Sequence, residues 1–392
     1  VPTIEITFWV ACGFVVYTYV GYPIGIWCIS RLRAEVLTDP STRVDWPAVT
    51  VVIAVHNEQQ HIVRKIENLR ALDYPKDFLH FVFVSDGSND ATNELITREP
   101  DIRLLSYPQR RGKPHALNCA LEVVHTPIVV FADVRQHIAA SALRYLVARL
   151  LHPGTGAVSG ELVHREPKSH AAKHIGLYWR YEKWIRKAEG RLASTLGATG
   201  ALYAMNRADF KPLPPDTLLD DFEIPMRVVR KKQQIAFESR AQIFDELQQD
   251  TAGERKRKIR TLTGNFQSCV RNPWLFSPAN PLLIQFLSHK VFRLLMPYAL
   301  TVLFLSAAAG AAMELGSHYA GAAIAQVIFY LLAIAGMLSR RLSDNRLVSF
   351  AMVFVELNWT AVLALKKFAT DRADPRWQKD LNPSAASTLD AE

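Results

Sequence analysis

Cysteine is scarce. The chain has four (Cys12, Cys28, Cys119 and Cys269) in 392 residues, and no two form a Cys-x-x-Cys pair. That spacing excludes a disulfide scaffold and a cysteine-built zinc site. Internal repeats and low-complexity tracts are also lacking, so a solenoid is excluded. There is no zinc-finger, RNP-type or helix-turn-helix pattern, so the basic excess does not argue for nucleic acid. That excess is 46 Lys and Arg against 37 Asp and Glu, a net charge of +9. The initiating Met is missing too, and Val1-Pro2 fits a trimmed N-terminus. What is abundant is apolar residues, at 49%, too many for a disordered chain.

Long uncharged runs lie toward the two ends. Between Glu5 and Arg31 lie 25 uncharged residues, enough to cross a bilayer core of about 30 Å at 1.5 Å per residue. The run is too long for a signal-peptide core and lacks a basic leader. Arg31 and Arg33 follow it and place the next segment in the cytoplasm by the positive-inside rule. Further apolar runs lie between Arg293 and Glu314, from Leu315 to Ser339 and from Leu347 to Leu365. One span before the middle region and three after it put the C-terminus outside. Yet Lys366, Lys367, Arg372, Arg376 and Lys379 prefer the inside. Either the tail is an exception, or one late segment does not fully cross. Glu356 and Asn358 near the centre of the last run are costly in lipid, and mark either a functional group or an interfacial segment. Residues 381–392 are expected to be disordered.

The middle alternates between strand and helix. Residues 49–55 (VTVVIAV) are β-branched and wholly apolar, as in a buried parallel strand. Further strands are expected at 79–84, 102–106 and 127–132, with helices after His56-Asn57-Glu58 and over 113–124. This order predicts an α/β doubly wound sheet with right-handed crossovers, whose ligands bind at the carboxyl ends of the strands. Polar clusters sit at those ends: His56 to Glu58, Asp86 and Asp133.

Six motifs in order carry a resemblance: VHNE, SDGSND, RRGK, FADVR, LGATGALYAMNR and LLDDFEIPMR, flanked by membrane runs. The series is similar to the membrane-embedded family 2 glycosyltransferases, the group of cellulose, hyaluronan, chitin and poly-N-acetylglucosamine synthases. The resemblance covers about residues 50–270. It implies a GT-A fold, a nucleotide-sugar donor, most readily a UDP-sugar, and inverting transfer at the cytoplasmic face. The domains expected are an N-terminal span (1–31), a cytoplasmic GT-A domain with interfacial helices (32–270), an interfacial segment with C-terminal spans (271–366) and a tail (367–392).

Inverting transfer needs a base on the acceptor hydroxyl and stabilisation of the departing diphosphate. By resemblance, Asp86 holds the uracil and ribose, with His56 and Glu58 flanking the base. Read from residues alone, Asp86 in its Gly-Ser-Asn turn is also an Asx-turn or helix-cap residue. Lys113 resembles a phosphate-contacting lysine. Asp133 matches the first position of the family's DxD motif and is the metal candidate, for Mg²⁺ or Mn²⁺. The second position is Arg135, which cannot ligate a cation. It either contacts phosphate or points away. Asp221 is the candidate base and Asp220 its neighbour; one of the pair also suits a helix start. Gly200 would line the acceptor side.

The family's QxxRW element is the main departure. Aligned on Gly264, its Gln position is Arg257, its Arg is Arg260 and its Trp is Thr261. Arg257 and Arg260 remain as phosphate contacts. The aromatic that would hold an acceptor is missing, and Trp184 or Trp274 is the substitute available. Residues 173–192 are amphipathic with aromatics and bases together, as in a helix lying on the membrane or one packed on the sheet, and 281–290 is similar. The expectation is a bacterial inner-membrane enzyme extending a β-linked polysaccharide. The alternatives are single-sugar transfer to a lipid acceptor and an inactive nucleotide-binding subunit. The partners expected are donor, glycan or lipid acceptor, and membrane lipid. A four-segment bundle is narrow, so polymer export calls for a homo-oligomer or an export partner.

Overall fold

The computed structural model describes residues 1–165, 170–246 and 251–370; the tail beyond Thr370 lies outside them. A sheet of eight strands forms the centre, in the order β3-β2-β1-β4-β7-β6-β8-β5. The strands are β1 (Val49–Val55), β2 (Leu79–Asp86), β3 (Ile102–Tyr107), β4 (Ile128–Ala132), β5 (His137–Ile138), β6 (Thr155–Arg165), β7 (Leu202–Asn206) and β8 (Gln234–Glu246). The first four pair in parallel, as alternation with helices predicts. Beyond β4 the sheet is mixed: β7 runs antiparallel to β4 and to β6. The expected doubly wound pattern therefore holds for one half, and the other half is that of a GT-A-like α/β fold.

Strand periodicity sorts the side chains into two cores. Val49, Val51, Ile53 and Val55 enter one face, with Ile62, Ile66 and Leu69 of helix α2 (Gln59–Arg70). Val52, Val129 and Phe131 enter the other, with Leu117 and Leu121 of α4 (Lys113–Val123) and Phe222 of α7 (Asp220–Arg230). Between α2 and α4 lies α3 (Thr92–Thr97), and α5 (Ala142–Leu150) covers the first face. Each fully buried Val, Ile or Phe contributes about 1.5–3 kcal/mol, which is why apolar residues dominate these strands up to their carboxyl ends.

Four helices are long and apolar enough to cross a membrane: α1 (Pro2–Arg31), α9 (Leu283–Ala312), α10 (Ser317–Leu338) and α11 (Arg346–Thr370). Stretch 281–290 is not a separate interfacial helix, since α9 runs on from Leu283 through a π turn at Phe286–Val291. A matching π turn interrupts α1 at Tyr17–Gly21, and the two meet where the Tyr17 and Ser288 hydroxyls lie 2.8 Å apart. Helix α6 (His170–Leu192) packs along the end of α1, with Tyr22 and Ile26 against Ile185 and Ala188. Buried polar groups join the three helices. His289 bonds Glu189 (2.8 Å) and Glu182 (2.7 Å), and Tyr22 donates to Glu189 at 2.5 Å.

Helix α11 ends where a crossing helix would not. Its start lies beside Gly336 at the end of α10, where a Cβ would meet Val348 and Met352. Its end lies on α8 (Thr251–Arg271), where Phe368 stacks at 6.0 Å on Phe266 and the Thr263 hydroxyl reaches the Ala364 carbonyl at 3.4 Å.

Candidate active site

The carboxyl end of the sheet gathers the predicted residues in two groups. The first is built on β2. Asp86 is wholly buried, and its carboxylate accepts from the Tyr107 hydroxyl (2.9 Å), the Arg111 N–H (2.7 Å) and the Gly112 N–H (2.9 Å). The SDG and RRGK motifs are thus one structure. Gly87 adopts φ +66°, and a Cβ there would lie 2.8 Å from the Arg110 nitrogen, so only glycine lets the two loops close. His56 donates from Nδ1 to the Asp86 carbonyl at 2.8 Å. Burial, then the charge of Arg110, lowers its pKa, leaving a neutral ring at pH 7.

Arg135 takes the second of its two open orientations. It points away from the phosphate side and grips buried Glu58, from Nε to Oε1 at 3.0 Å and from the second nitrogen at 2.9 Å. Glu58 is occupied by this pair, while its N–H donates to the Thr92 hydroxyl at 2.8 Å.

The second group lies where β4 meets the start of α7. Asp133 follows β4, and its N–H donates to the Ala201 carbonyl at 3.2 Å. Asp220 and Asp221 form the first turn of α7, where the helix dipole favours negative charge. The Lys113 ammonium joins the two elements, 3.0 Å from Asp133 and 3.2 Å from Asp220. Despite burial, Asp133 and then the aspartate pair hold Lys113 firmly protonated. Burial, and then the charge of Asp220, push Asp221 up to about 6, against the pull of Lys113, Lys290 and Arg186. Gly200 sits directly over this carboxylate: a Cβ there would lie 2.9 Å from Asp221 Oδ2. The Asp221 carbonyl accepts from the Ala198 N–H at 2.7 Å, so the ATG run and the Asp pair fix each other.

The departures in the last motif are placed as follows. Arg260 reaches the Leu218 carbonyl at 3.3 Å, just before the Asp pair, and its Nε is buried without a hydrogen bond. Arg257 and Thr261 are exposed on the same helix. Trp184 stands apart from the site. Its ring lies 6.3 Å from Trp27 of α1 and 6.3 Å from Tyr181, where it anchors α6 on a membrane helix. Trp274 packs on the second core. Neither ring takes the place left by Thr261.

The metal question can be put to these residues. Among the described residues, no three His, Cys, Asp or Glu side chains are grouped to hold an ion. Lys113 lies between Asp133 and Asp220, and Arg135 is on Glu58. The residues fit a divalent ion only through Asp133, with a diphosphate supplying most of its oxygens.

Residues 50–211 match the Glycosyl transferase family 2 model. The chain contains a family 2 glycosyltransferase domain. This glycosyltransferase is 23% identical over 251 residues to the poly-β-1,6-N-acetyl-D-glucosamine synthase of Staphylococcus aureus strain COL, covering 62% of this chain. The match spans 60% of the relative, less than two thirds of its length. Among solved structures, the mannosyltransferase PcManGT from Pyrobaculum calidifontis, in complex with GDP-Man and Mn²⁺, superposes with a TM-score of 0.70 at 23% identity. That superposition covers 93% of this chain and 99% of PcManGT, so the fold is shared over nearly the whole of both.

Two cations near Asp221 were not singled out from the sequence, Arg186 and Lys290. Neither belongs to a motif. Arg186 is one base among several in an amphipathic helix, and Lys290 looks like a flanking charge of a membrane run.

Proposed function

We propose that the chain transfers a sugar from a nucleoside-diphosphate donor to an acceptor hydroxyl, with inversion at the anomeric carbon. Asp221 takes the hydroxyl proton, the acceptor oxygen bonds to the anomeric carbon, and the bond from that carbon to the diphosphate breaks. The observation that carries this reading is the Lys113 ammonium held between Asp133 and Asp220, beside an Asp221 poised near pH 6. Lys113 offers its charge to the departing diphosphate, and Arg260 lies close behind it at Leu218. A divalent ion held by Asp133 would share that charge neutralisation. Asp86, His56 and the Arg111-Gly112 loop form the wall for the nucleoside. Membrane helices seat the site at the cytoplasmic face of a bacterial inner membrane, in keeping with the basic loop after α1.

The Staphylococcus relative is a polysaccharide synthase, which supports a UDP-sugar and a β-linked polymer. One observation favours transfer of a single sugar instead. Thr261 leaves the acceptor without a stacking ring, and both candidate tryptophans are engaged elsewhere.

The test is nucleotide release by the purified full chain in nanodiscs across a panel of UDP- and GDP-sugars, with and without Mn²⁺. One donor is consumed, and Asp221→Asn slows turnover by about 10²–10⁴-fold. A base must be unprotonated, so kcat/KM falls on the acid side with a midpoint near pH 6. Product size separates polymer from single transfer. Donor binding without release from any donor overturns the reading in favour of an inactive partner subunit.

A further inference from the structure

The base is flanked by two cations that make no ion pair among the described residues. Arg186 on α6 makes one contact among the described residues, a 3.5 Å approach to the Ser159 hydroxyl. That hydroxyl accepts from the Thr199 N–H at 2.9 Å, and Thr199 precedes Gly200, which lies on Asp221. Lys290 sits in the π turn of α9, one turn beyond Phe286, whose ring is 6.4 Å from that of Phe222, the residue after Asp221. Lys290 has no hydrogen bond or ion pair among the described residues. The nearby carboxylates are already used: Glu182 by His289 and Arg293, Glu189 by His289 and Tyr22. Both cations bear electrostatically on Asp221 without pairing with it.

Their position separates them from the donor. Asp86 on β2 lies two strands to one side of β4, and Ser159 on β6 lies two strands to the other, about 10 Å each way at ordinary strand spacing. Ser159 pairs with Tyr203 at the edge where Ala132 pairs with Leu202, so it lies at the same end of the sheet as Asp133. The nucleoside wall is on the β2 side. Arg186 and Lys290 are on the acceptor side, contributed by the two helices that join the catalytic domain to the membrane.

We propose that Arg186 and Lys290 form an anion subsite for the acceptor, which carries a phosphate next to its reacting hydroxyl. This rests on the reading of Asp221 as the base and names the class of acceptor it serves. Two half-buried cations that make no ion pair among the described residues, and share only carboxylates already bonded to other groups, are costly at a membrane boundary. A compact anion brought by the acceptor neutralises both, and a planar guanidinium with a mobile ammonium suits phosphate oxygens.

The experiment reads binding rather than turnover, so an inactive preparation leaves it intact. The full chain in neutral detergent is titrated by native mass spectrometry with a long-chain polyprenyl phosphate, the uncharged polyprenol, phosphatidylglycerol and sn-glycerol 3-phosphate. The phosphate lipids bind about 10–100-fold tighter than the polyprenol, the range for charge-assisted hydrogen bonds. Lys290→Gln or Arg186→Gln lowers that preference about tenfold, and Lys290→Arg restores it. Glycerol phosphate binding as tightly as the lipids assigns the subsite to a soluble phosphorylated acceptor, and much weaker binding assigns it to a lipid-borne phosphate. Equal binding of polyprenol and polyprenyl phosphate overturns the proposal. So does a preference unchanged in the Lys290→Gln, Arg186→Gln double variant, because other surface cations then account for it.

Discussion

At the residue scale the site depends on which charges are already committed. Read as a motif, FADVR lacks a carboxylate, and the obvious repair is Arg135→Asp. The structure argues against it. Arg135 is the partner of Glu58, which is 4% exposed, and the substitution would leave that carboxylate buried beside a second one. Removing one member of a buried pair costs about 3–5 kcal/mol, and partial exposure of Arg135 puts this case toward the lower end. Arg135→Asp should therefore lower the melting temperature of the detergent-solubilised protein without tightening Mn²⁺ binding measured by EPR. A melting temperature equal to wild type, with stronger Mn²⁺ binding, would show that the pair is dispensable. The identity of Arg135 was legible in the sequence, but its direction was not. The choice depends on Glu58, 77 positions earlier, closing on it across the sheet.

At the element scale, the loop that carries Asp133 is fastened by α2. Asn68 donates to the Ile138 carbonyl and accepts from the Ile138 N–H, both at 2.8 Å, so one side chain acts as a missing strand edge for β5. One turn earlier, Lys65 extends to the Gln136 carbonyl at 2.8 Å, and burial pushes it down to about 7. Asn68→Ala strands two buried backbone groups and should cost about 2–6 kcal/mol, at 1–3 kcal/mol for each. Thermal unfolding of the variant in detergent checks this, with nucleotide binding at Asp86 as the control for a retained fold. Apolar runs made β1, β2 and β4 readable almost to the residue because they are buried on both faces, and β3 was readable from its Ile-Arg-Leu-Leu run although it is a half-buried edge strand. Such runs did not reveal β6 and β8. Strand β6 carries Glu161, His164 and Arg165, and β8 carries Glu238, Arg240, Asp245 and Glu246, so neither forms an apolar run. Resemblance alone put the LYAMN stretch on the acceptor side, and nothing in it marked the antiparallel turn of β7. That reversal brings Gly200 over Asp221.

At the scale of the whole molecule, the path of α11 answers the conflict between span count and basic tail. Helix α9 starts at the catalytic domain, where Gln285 donates to the Ser194 carbonyl at 3.1 Å. Helix α10 runs back against it, with Tyr319 over Gly310 near its start and Gln326 on the Leu300 carbonyl at 2.9 Å. The end of α10, and the start of α11 beside it, are therefore on the catalytic side. The end of α11 is on that side too, against α8. At its centre Glu356 is exposed while Asn358 reaches the Tyr19 hydroxyl at 3.4 Å. A charge facing lipid at mid-depth costs several kcal/mol, whereas at the interface it faces water. Length and composition make α11 a candidate fourth span, whereas its contacts at both ends are those of a helix lying along the catalytic face. Lys366 and Lys367 then obey the positive-inside rule with Arg31, Arg33, Arg340 and Arg341. In sealed proteoliposomes, single cysteines in a cysteine-free background at Lys367 and at Arg33 should react together with an impermeant maleimide, and one at Glu314 should react only from the opposite side. Labelling of Lys367→Cys together with Glu314→Cys would instead make α11 a full crossing, and the basic tail would be the exception.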